Sequence, residues 1–243
     1  MVTAIGTLYL DCGNSRTKYS FAGGIGVFET LSDLKAFLIK ANVPLVVIAS
    51  VSIQTSAIVK LIDSMGIAKA IVQVTDGFAD FSLAYPDVSL LGIDRWLAML
   101  AALDLYPGED LWVVDIGTAL TLDYVNKHRC HQGGSISVGL KLAAITLSAK
   151  TARLPQANLV FSPELGQTTG ACLNFGIVYG AIALIEQSVQ KFGSTDSRVV
   201  LTGGDAALVA PHLSIGHTIE PDLVLQGLKY YWQRINVPTG DIG

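Results

Sequence analysis

The residues of this chain that could do chemistry lie in three short motifs. Asp94 and Arg95 stand together in Leu-Gly-Ile-Asp-Arg, and two apolar segments end at Asp11 and Asp115, each followed two residues later by a Gly. A strand that ends in Asp-x-Gly places a carboxylate and several backbone N–H groups at one point, which can hold a cation and phosphate oxygens together. The repeat of this turn predicts a cleft with one such hairpin on each wall.

Each turn also has a purely structural interpretation. Asp, Asn and Gly favour tight turns, so Asp11–Ser15 taken alone is equally typical of a hairpin. Its repetition at Asp115–Ala119 favours a cation or phosphate role, because an Asp at the end of an apolar strand packs poorly. Lys18 follows the first turn, and the sequence leaves open whether it contacts a phosphate or is a solvated strand residue.

Asp94 and Arg95 have two interpretations as well. In the structural one a helix begins here, with an acid near its N-terminus and an Arg on the surface, and the pattern alone slightly favours this. In the chemical one Asp94 takes the proton of a substrate hydroxyl, since phosphoryl transfer mainly needs positioning and charge neutralisation. Arg95 would then bind a substrate carboxylate through its planar guanidinium group.

Other motifs are less specific. Gly203–Gly204 follows a strand and suits either the close approach of a flat ligand or a simple turn. His128, Cys130 and His131 lack a fourth zinc ligand, so we expect them to be surface residues at a hairpin tip. Asp123 is either structural or an extension of the cation site.

Composition narrows the functional classes. The 243 residues are 51% hydrophobic and 15% charged, which is enough apolar material for two cores and a subunit interface. The net charge is −4 without a Lys/Arg cluster, so we expect no nucleic-acid partner. No apolar run approaches the ~18 residues of a membrane span and the N-terminus lacks a signal-peptide pattern, so we expect no membrane association. Three widely spaced cysteines favour a reducing cytoplasm.

The spacing of apolar residues predicts the elements that position these motifs. Residues 3–10 and 15–22 alternate as paired strands around the first turn. The order of elements through residue 75 is β-β-β-α-β-α-β. A helix from Ile93 to Leu105 would place Asp94 close to its beginning.

The second half repeats the plan of three strands, helix, strand and helix. Pro107–Gly108 marks the boundary, which gives an N-terminal half of residues 1–108 and a C-terminal half of residues 109–243. This predicts an α/β protein of duplicated actin-like (ribonuclease H-like) halves, each a mixed sheet with flanking helices. Two further expectations are that Ser32 caps the first helix and that residues 175–191 form a long helix.

Six motifs in this order carry a family resemblance. They are Asp11-Cys-Gly-Asn-Ser, Leu91-Gly-Ile-Asp-Arg, Asp115-Ile-Gly-Thr-Ala, Gly133-Gly-Ser-Ile, Gly166-Gln-Thr-Thr and Thr202-Gly-Gly-Asp. The ordered set resembles the type III pantothenate kinases of the acetate and sugar kinase/Hsp70/actin superfamily, over nearly the whole chain. One departure is that Val138-Gly139 stands where the family usually has Pro-Gly, at a position that shapes a loop.

The resemblance implies a cytoplasmic homodimer that phosphorylates pantothenate to 4'-phosphopantothenate with ATP, the first step of coenzyme A biosynthesis. ATP would lie in a cleft between the halves, and Mg²⁺ and K⁺ or NH₄⁺ would be required. Asp94 would be the catalytic proton acceptor and Asp115 the ligand of the monovalent cation. Asp11, by its own position at the first turn, is placed to hold magnesium directly or through water. The implied ATP-binding residues are Asp11, Cys12, Gly13, Asn14, Ser15, Arg16, Thr17, Lys18 and Thr118, and the implied pantothenate-binding residues are Tyr85, Gly92, Ile93, Asp94, Arg95 and Thr169.

Two alternatives stay open at this point. Another kinase of the superfamily would act on a sugar or acetate, but the short chain lacks room for a larger sugar-binding lid. A non-catalytic regulatory relative is the other, since some relatives are described as transcriptional accessory factors. The presence of Asp11, Asp94, Arg95 and Asp115 argues against loss of activity, and the acidic balance argues against direct DNA contact.

Overall fold

Two five-stranded mixed sheets form the framework of the protein. The computed structural model of the chain describes residues 6–150 and 159–236. In each sheet the first three strands pair antiparallel in chain order. A fourth strand pairs parallel with the first, and a fifth pairs parallel with the fourth. Each sheet belongs to its own compact unit.

The two units are not continuous in sequence. The first takes the chain up to Asp76, then Tyr85–Ala101 and the C-terminal segment from Leu223. The second takes Gly77–Ala84 and Ala102–Asp222. The chain therefore passes between units at several joints, and the single boundary expected from the sequence stays a prediction.

The first unit contains a sheet in the order β3-β2-β1-β4-β5, flanked by helices. Its elements are β1 Thr7–Cys12, β2 Thr17–Phe21, β3 Gly24–Phe28, α1 Leu31–Ala41, β4 Leu45–Ser50, α2 Thr55–Ser64, β5 Ala68–Ile71, the beginning of α3 Ile93–Leu105, and α7 Leu223–Asn236. Because strand side chains alternate, Leu8, Leu10 and Cys12 of β1 all enter one core with the apolar sides of α1 and α2. Helix α7 contacts β1, β2 and β4.

The second unit has the same design. Its elements are β6 Leu111–Ile116, β7 Ala119–Val125, β8 His131–Val138, α4 Leu140–Lys150, α5 Thr169–Phe192, β9 Arg198–Thr202, α6 Ala206–Val209 and β10 His217–Ile219. The strand order β10-β9-β6-β7-β8 matches the first sheet when β6 is laid on β1. This equivalence confirms the predicted duplication, and it places Asp11 and Asp115 at corresponding points, each in the last two residues of its strand.

Two helices begin at other residues than the sequence predicted, because a capping side chain fixes the first turn of each. Thr30, not Ser32, caps α1: its side chain accepts a hydrogen bond from Asp33 N, and the Asp33 carboxylate accepts one from Thr30 N in return. Helix α5 begins at Thr169 rather than at residue 175, because the Thr168 hydroxyl accepts from Ala171 N. The three-residue edge strand β10 was not expected.

Helix α5 also corrects the expectation that the chain has nothing long and apolar enough for a membrane. Its 24 residues meet that test by length and composition, the one helix among the described residues that does. A core helix of a soluble protein passes the same test, and Val178, Ala181, Ile182 and Ile185 of α5 pack into the core of the second unit. Much of the rest of this helix is exposed, and this apolar surface needs an explanation.

Candidate active site

The first Asp turn joins β1 to β2. Asp11 lies opposite Lys18 in the antiparallel pair, so the two side chains are on the same face of the sheet. The Gly13 N–H donates to the Arg16 carbonyl at 3.2 Å and closes the turn. Residues 14–16 are exposed at its tip. Lys18 is thus a partly exposed strand residue across from Asp11, a position compatible with either of its predicted roles.

The turn borders a small polar cavity of about 60 Å³. Residues 13–17 line it together with Glu29, Thr30 and Gln54. The structure therefore brings five of the predicted ATP-binding residues onto one concave surface. The cavity itself has room for about two water molecules, so a larger ligand would lie over the turn rather than inside the cavity.

Cys12 is the exception within this motif. Its side chain is fully buried in the core of the first unit. Burial, and then the Asp11 charge, raise the pKa of the Cys12 thiol to about 12. Its carbonyl accepts from Val51 N at 3.2 Å. Any role of Cys12 toward a phosphate therefore falls to its backbone, and the thiol stabilises the core.

Asp94 is fixed at the beginning of α3. The Gly92 carbonyl accepts the first helical hydrogen bond, from Trp96 N at 3.1 Å. The Asp94 Oδ1 atom accepts from the Arg95 N–H at 2.8 Å. A Cβ atom on Gly92 would lie 2.5 Å from that same oxygen, so only glycine leaves room for this carboxylate orientation. Ile93, also predicted for the substrate site, is buried.

Arg95 is not the surface charge that the structural interpretation predicted. It is 7% exposed, and its Nη1 atom donates to the Tyr85 hydroxyl at 2.9 Å. The guanidinium carbon lies 5.8 Å from the centre of the Tyr85 ring. Burying a charge is costly unless it has partners. Asp94 and Arg95 of one motif and Tyr85 of the preceding loop therefore form one connected group.

The second Asp turn joins β6 to β7, and three backbone segments converge on it. Gly117 N donates to the Ala119 carbonyl at 2.9 Å. A Cβ on Gly203, which has φ +93°, would clash with the Asp115 carboxylate and the Ile116 carbonyl. A Cβ on Gly139 would clash with the Gly117 carbonyl. The backbone at Gly139 and Gly203 therefore packs closely against this turn, and Thr118 is exposed at its tip.

Two residues beside this turn were not predicted. Asp205 is 6% exposed, its backbone N–H donates to the Ile116 carbonyl at 3.0 Å, and its carboxylate pairs with Lys141 at 2.5 Å. Lys141 follows Gly139 at the beginning of α4 and is largely exposed. The sequence signal that could have identified Asp205 is its place directly after Gly203–Gly204, because an acidic residue after a glycine turn often caps a helix or forms an ion pair.

The structure does not bring every predicted residue together within one unit. Thr169 lies exposed in the first turn of α5, in the second unit, whereas Tyr85 and the Asp94 group belong to the first. Its assignment to the pantothenate site stays a prediction.

His131 corrects a sequence expectation. It was expected at the surface, but it is 3% exposed and its Nε2 atom lies 3.0 Å from Oδ1 of the buried Asp123. The two side chains form a buried pair between β7 and β8, which assigns Asp123 a structural role in the hairpin. His128 is exposed as expected.

Fold and site together define a class of protein. Two equivalent sheets, each with an Asp turn, constitute a duplicated actin-like fold of the ATPase and sugar kinase type. A solved structure of a "putative 2-dehydro-3-deoxygalactonokinase" from Sinorhizobium meliloti has this fold, with a TM-score of 0.59 at 14% identity over 95% of this chain and 99% of that one. A "conserved putative Baf family transcriptional activator" from Campylobacter jejuni has it too, with a TM-score of 0.65 at 22% identity over 95% and 100%.

Sequence similarity then identifies the family. A family model described as type III pantothenate kinase matches residues 7–191. A type III pantothenate kinase of Acinetobacter baylyi is 33% identical over 240 residues, covering 92% of this chain and 96% of that protein. One of Hahella chejuensis is 39% identical over 148 residues, 60% of each chain, so this alignment spans about three fifths of that relative's length. The chain belongs to the type III pantothenate kinase family.

The raised pKa of Cys12 generates the first prediction. A pH of 8 is far below the Cys12 pKa of about 12, so the thiol stays protonated. It should therefore react very slowly with a disulfide reagent such as DTNB. Cys130 is partly exposed, so it should react first. Peptide mapping by mass spectrometry should find Cys12 labelled only after unfolding in guanidinium. Labelling of Cys12 at the rate of Cys130 in the native protein would contradict the burial.

Proposed function

We propose that this protein transfers the γ-phosphoryl group of ATP to the primary hydroxyl of pantothenate, giving 4'-phosphopantothenate, the first step of coenzyme A biosynthesis. Membership of the family supports this assignment. The observation that carries it is a carboxylate and a buried guanidinium on consecutive residues at the beginning of one helix: Asp94 accepts from the Arg95 backbone N–H, and the Arg95 guanidinium donates to Tyr85. A hydroxy acid is the substrate class that needs both groups.

Asp94 is the proton acceptor in this proposal. As the pantothenate oxygen attacks the γ-phosphorus, its proton passes to a carboxylate oxygen of Asp94. The Arg95 N–H and the absence of a side chain on Gly92 hold that carboxylate in one orientation. Because the orientation of this base is fixed in advance, no ordering cost is added to the activation barrier of phosphoryl transfer.

Arg95 binds the pantothenate carboxylate in this proposal. A guanidinium group matches a carboxylate in a planar, two-bond geometry. Tyr85 supports this role, since its hydroxyl accepts from Nη1 and its ring lies beside the guanidinium. Thr169 is the further pantothenate contact that the family resemblance adds.

The two Asp turns hold ATP and its cations in this proposal. Residues 11–18 and Thr118 contact the phosphates through backbone N–H groups and side chains. Asp11 faces Lys18 across the strand pair and would hold magnesium directly or through water. Asp115 faces Thr121, and its carboxylate together with backbone carbonyl groups would hold K⁺ or NH₄⁺. The cations offset phosphate charge during transfer.

Replacement of the base gives the central test. Asp94→Asn keeps the shape and removes the basicity, so kcat for pantothenate phosphorylation should fall by about 10²–10⁴-fold. Asp104→Asn changes an exposed carboxylate of the same helix and is the matched control. A coupled assay of ADP formation measures both.

Arg95→Lys separates the two roles in the same assay. Lysine keeps the charge and loses the two-bond geometry, so the KM for pantothenate should rise more than kcat falls. Near wild-type turnover of Asp94→Asn, or an Arg95→Lys effect confined to the KM for ATP, would contradict these assignments.

The cation assignment predicts activation by potassium. At fixed Mg²⁺, activity should rise with K⁺ or NH₄⁺ and much less with Na⁺, because the Asp115 site is built for a larger, weakly hydrated ion. Asp115→Asn should shift the potassium titration to higher concentration, while Asp196→Asn, an exposed acid of the same unit, should leave it unchanged. Wild-type activity that ignores potassium would eliminate this cation site.

The exposed apolar surface of the second unit supports the proposed homodimer. Helices α4 and α5 border an apolar groove of about 450 Å³, lined by Leu140, Leu147, Leu173 and Ile177 among others. Ile145 and Tyr179 are 63% and 52% exposed on these helices. A contiguous apolar surface of this kind marks an interaction site. We propose that a second copy of the chain covers this groove. Burial in a dimer interface would also explain why α5 is so apolar, with no need for a membrane.

Oligomeric state tests this directly. Ile145→Glu should convert the dimer to a monomer, because a charge buried in an apolar interface is costly. Ile39 on α1 is 65% exposed, so Ile39→Glu is a matched control that should remain dimeric. Light scattering after size-exclusion chromatography measures the mass. A monomeric wild type would contradict the dimer, and a requirement for detergent would favour a membrane instead.

The competing regulatory function rests on the name of the Campylobacter jejuni structure, whose likeness to this chain shows the fold alone. The acidic net charge of −4 favours small substrates over DNA. A cytoplasmic location fits the free cysteines Cys12, Cys130 and Cys172. Pantothenate-dependent ATP consumption by the wild type decides between kinase and regulator.

A further inference from the structure

The segment that leads into Tyr85 is held by the tip of the β7–β8 hairpin. Gly77–Ala84 is part of the second unit, and the chain enters the first unit at Tyr85. Ser82 N donates to the Arg129 carbonyl at 3.0 Å, and His131 N donates to the Ser82 carbonyl at 2.9 Å. These two bonds form a parallel bridge around Cys130, so Ser82 lies against the hairpin like a single residue of an extra strand.

The Arg129 side chain adds a second attachment. Its Nε atom donates to the Ala79 carbonyl at 2.9 Å, and its Nη1 atom donates to the Leu103 carbonyl at 3.4 Å. One guanidinium thus joins the segment to the end of α3. A lysine cannot reproduce this, because its single nitrogen lacks the fork of the guanidinium group.

Backbone conformation shows that the attachment is specific. Arg129, Ala79 and Asp80 all have φ in the left-handed region, at 61°, 53° and 59°. Side chains other than glycine disfavour this region, and such residues persist where their surroundings determine the conformation. Phe81, which follows them, is fully buried. The segment is therefore held in one conformation by bonds at Ala79 and Ser82 and by burial between them.

The hairpin itself is braced beneath the bridge. His131 and Asp123 are both almost completely buried and lie 3.0 Å apart across β7 and β8. This pair is next to the register shift between Tyr124 and Val125. A buried polar pair rigidifies a strand pair because each group needs the other. The anchor for the segment is therefore a stiff element.

Three residues beyond Ser82 the same segment reaches the site. Tyr85 accepts from Arg95 Nη1 at 2.9 Å and places its ring beside the guanidinium. A displacement of the segment would move Tyr85, which is a few peptide bonds away. It would thereby move the guanidinium that, in the proposed function, binds the substrate carboxylate. Small displacements of a positioning group can strongly lower catalytic efficiency.

We propose that Arg129 is a positioning residue for substrate recognition: by fixing the segment Gly77–Ala84 to the β7–β8 hairpin, it sets the orientation of Tyr85 and, through it, of Arg95. Arg129 acts through these residues rather than by touching the substrate. The proposal rests on the proposed function, in which Arg95 binds the pantothenate carboxylate.

Steady-state kinetics test it with two variants and a control. Arg129→Gly removes the guanidinium and tolerates the left-handed backbone, and Arg129→Lys keeps the charge. Both should raise the KM for pantothenate, by about tenfold for glycine and less for lysine, with the KM for ATP little changed. His128→Ala alters an exposed neighbour at the same tip and should behave as wild type.

A double-mutant cycle identifies the route. Tyr85→Phe removes the hydroxyl that accepts from Arg95. If Arg129 acts through Tyr85, the Arg129→Gly/Tyr85→Phe double variant should show a KM for pantothenate close to that of the worse single variant, and not the product of both effects. Thermal unfolding of each variant shows whether the effect follows global stability.

The outcomes are distinct. Wild type that phosphorylates pantothenate, together with Arg129 variants whose KM for pantothenate is unchanged, would overturn this inference alone. Multiplicative effects in the cycle, or equal changes in both KM values that follow the melting temperature, would overturn it as well. Wild type without pantothenate kinase activity would overturn the proposed function and this inference together.

Discussion

Arg95 carries a permanent charge, yet only 7% of its surface is exposed. The contacts that Tyr85 and α3 make around it meet the needs of this buried charge. A buried guanidinium needs partners, because the cost of removing it from water is large. Tyr85 supplies a hydroxyl and a ring face, and α3 supplies the position beside Asp94. A cation held ready in this way has a clear use when the substrate is an anion. The same burial that disfavours an isolated charge strengthens its attraction for a carboxylate.

The duplicated sheets place two similar turns in different electrostatic surroundings. Asp11 and Asp115 lie at equivalent points, yet Asp11 faces Lys18 across its strand pair, whereas Asp115 faces Thr121. The residue opposite the first Asp carries a positive charge, and the residue opposite the second is neutral. The two turns therefore share a backbone design and differ in the charge of the facing residue, which is the basis for proposing different roles for them.

Sequence patterns predicted what depends on local structure. The Asp-x-Gly turns, the beginning of α3 at Ile93 and the repeated order of strands all follow from spacing within a few residues. The burial of Arg95 and the pairing of His131 with Asp123 did not, because both depend on which segments meet in the folded chain. The beginning of α5 was missed for a local reason: Thr168 caps the helix, but Gly170 and Asn174 interrupt the apolar pattern of its first turns. The anchoring of Ser82 by Arg129 has no signature in spacing at all.

The departure of Val138-Gly139 from the Pro-Gly of the family shows how the structure separates required from variable positions. Val138 is 51% exposed at the end of β8, where a proline ring and a valine side chain can both project outward. Gly139 has no such freedom, because a Cβ there would clash with the Gly117 carbonyl, and its N–H donates to Thr118 O at 3.0 Å. The glycine therefore maintains the Asp115 turn. Val138 pairs with Ala119 at the end of the β7–β8 ladder and its side chain is half exposed, so we expect this position to tolerate a different side chain while Gly139 is required.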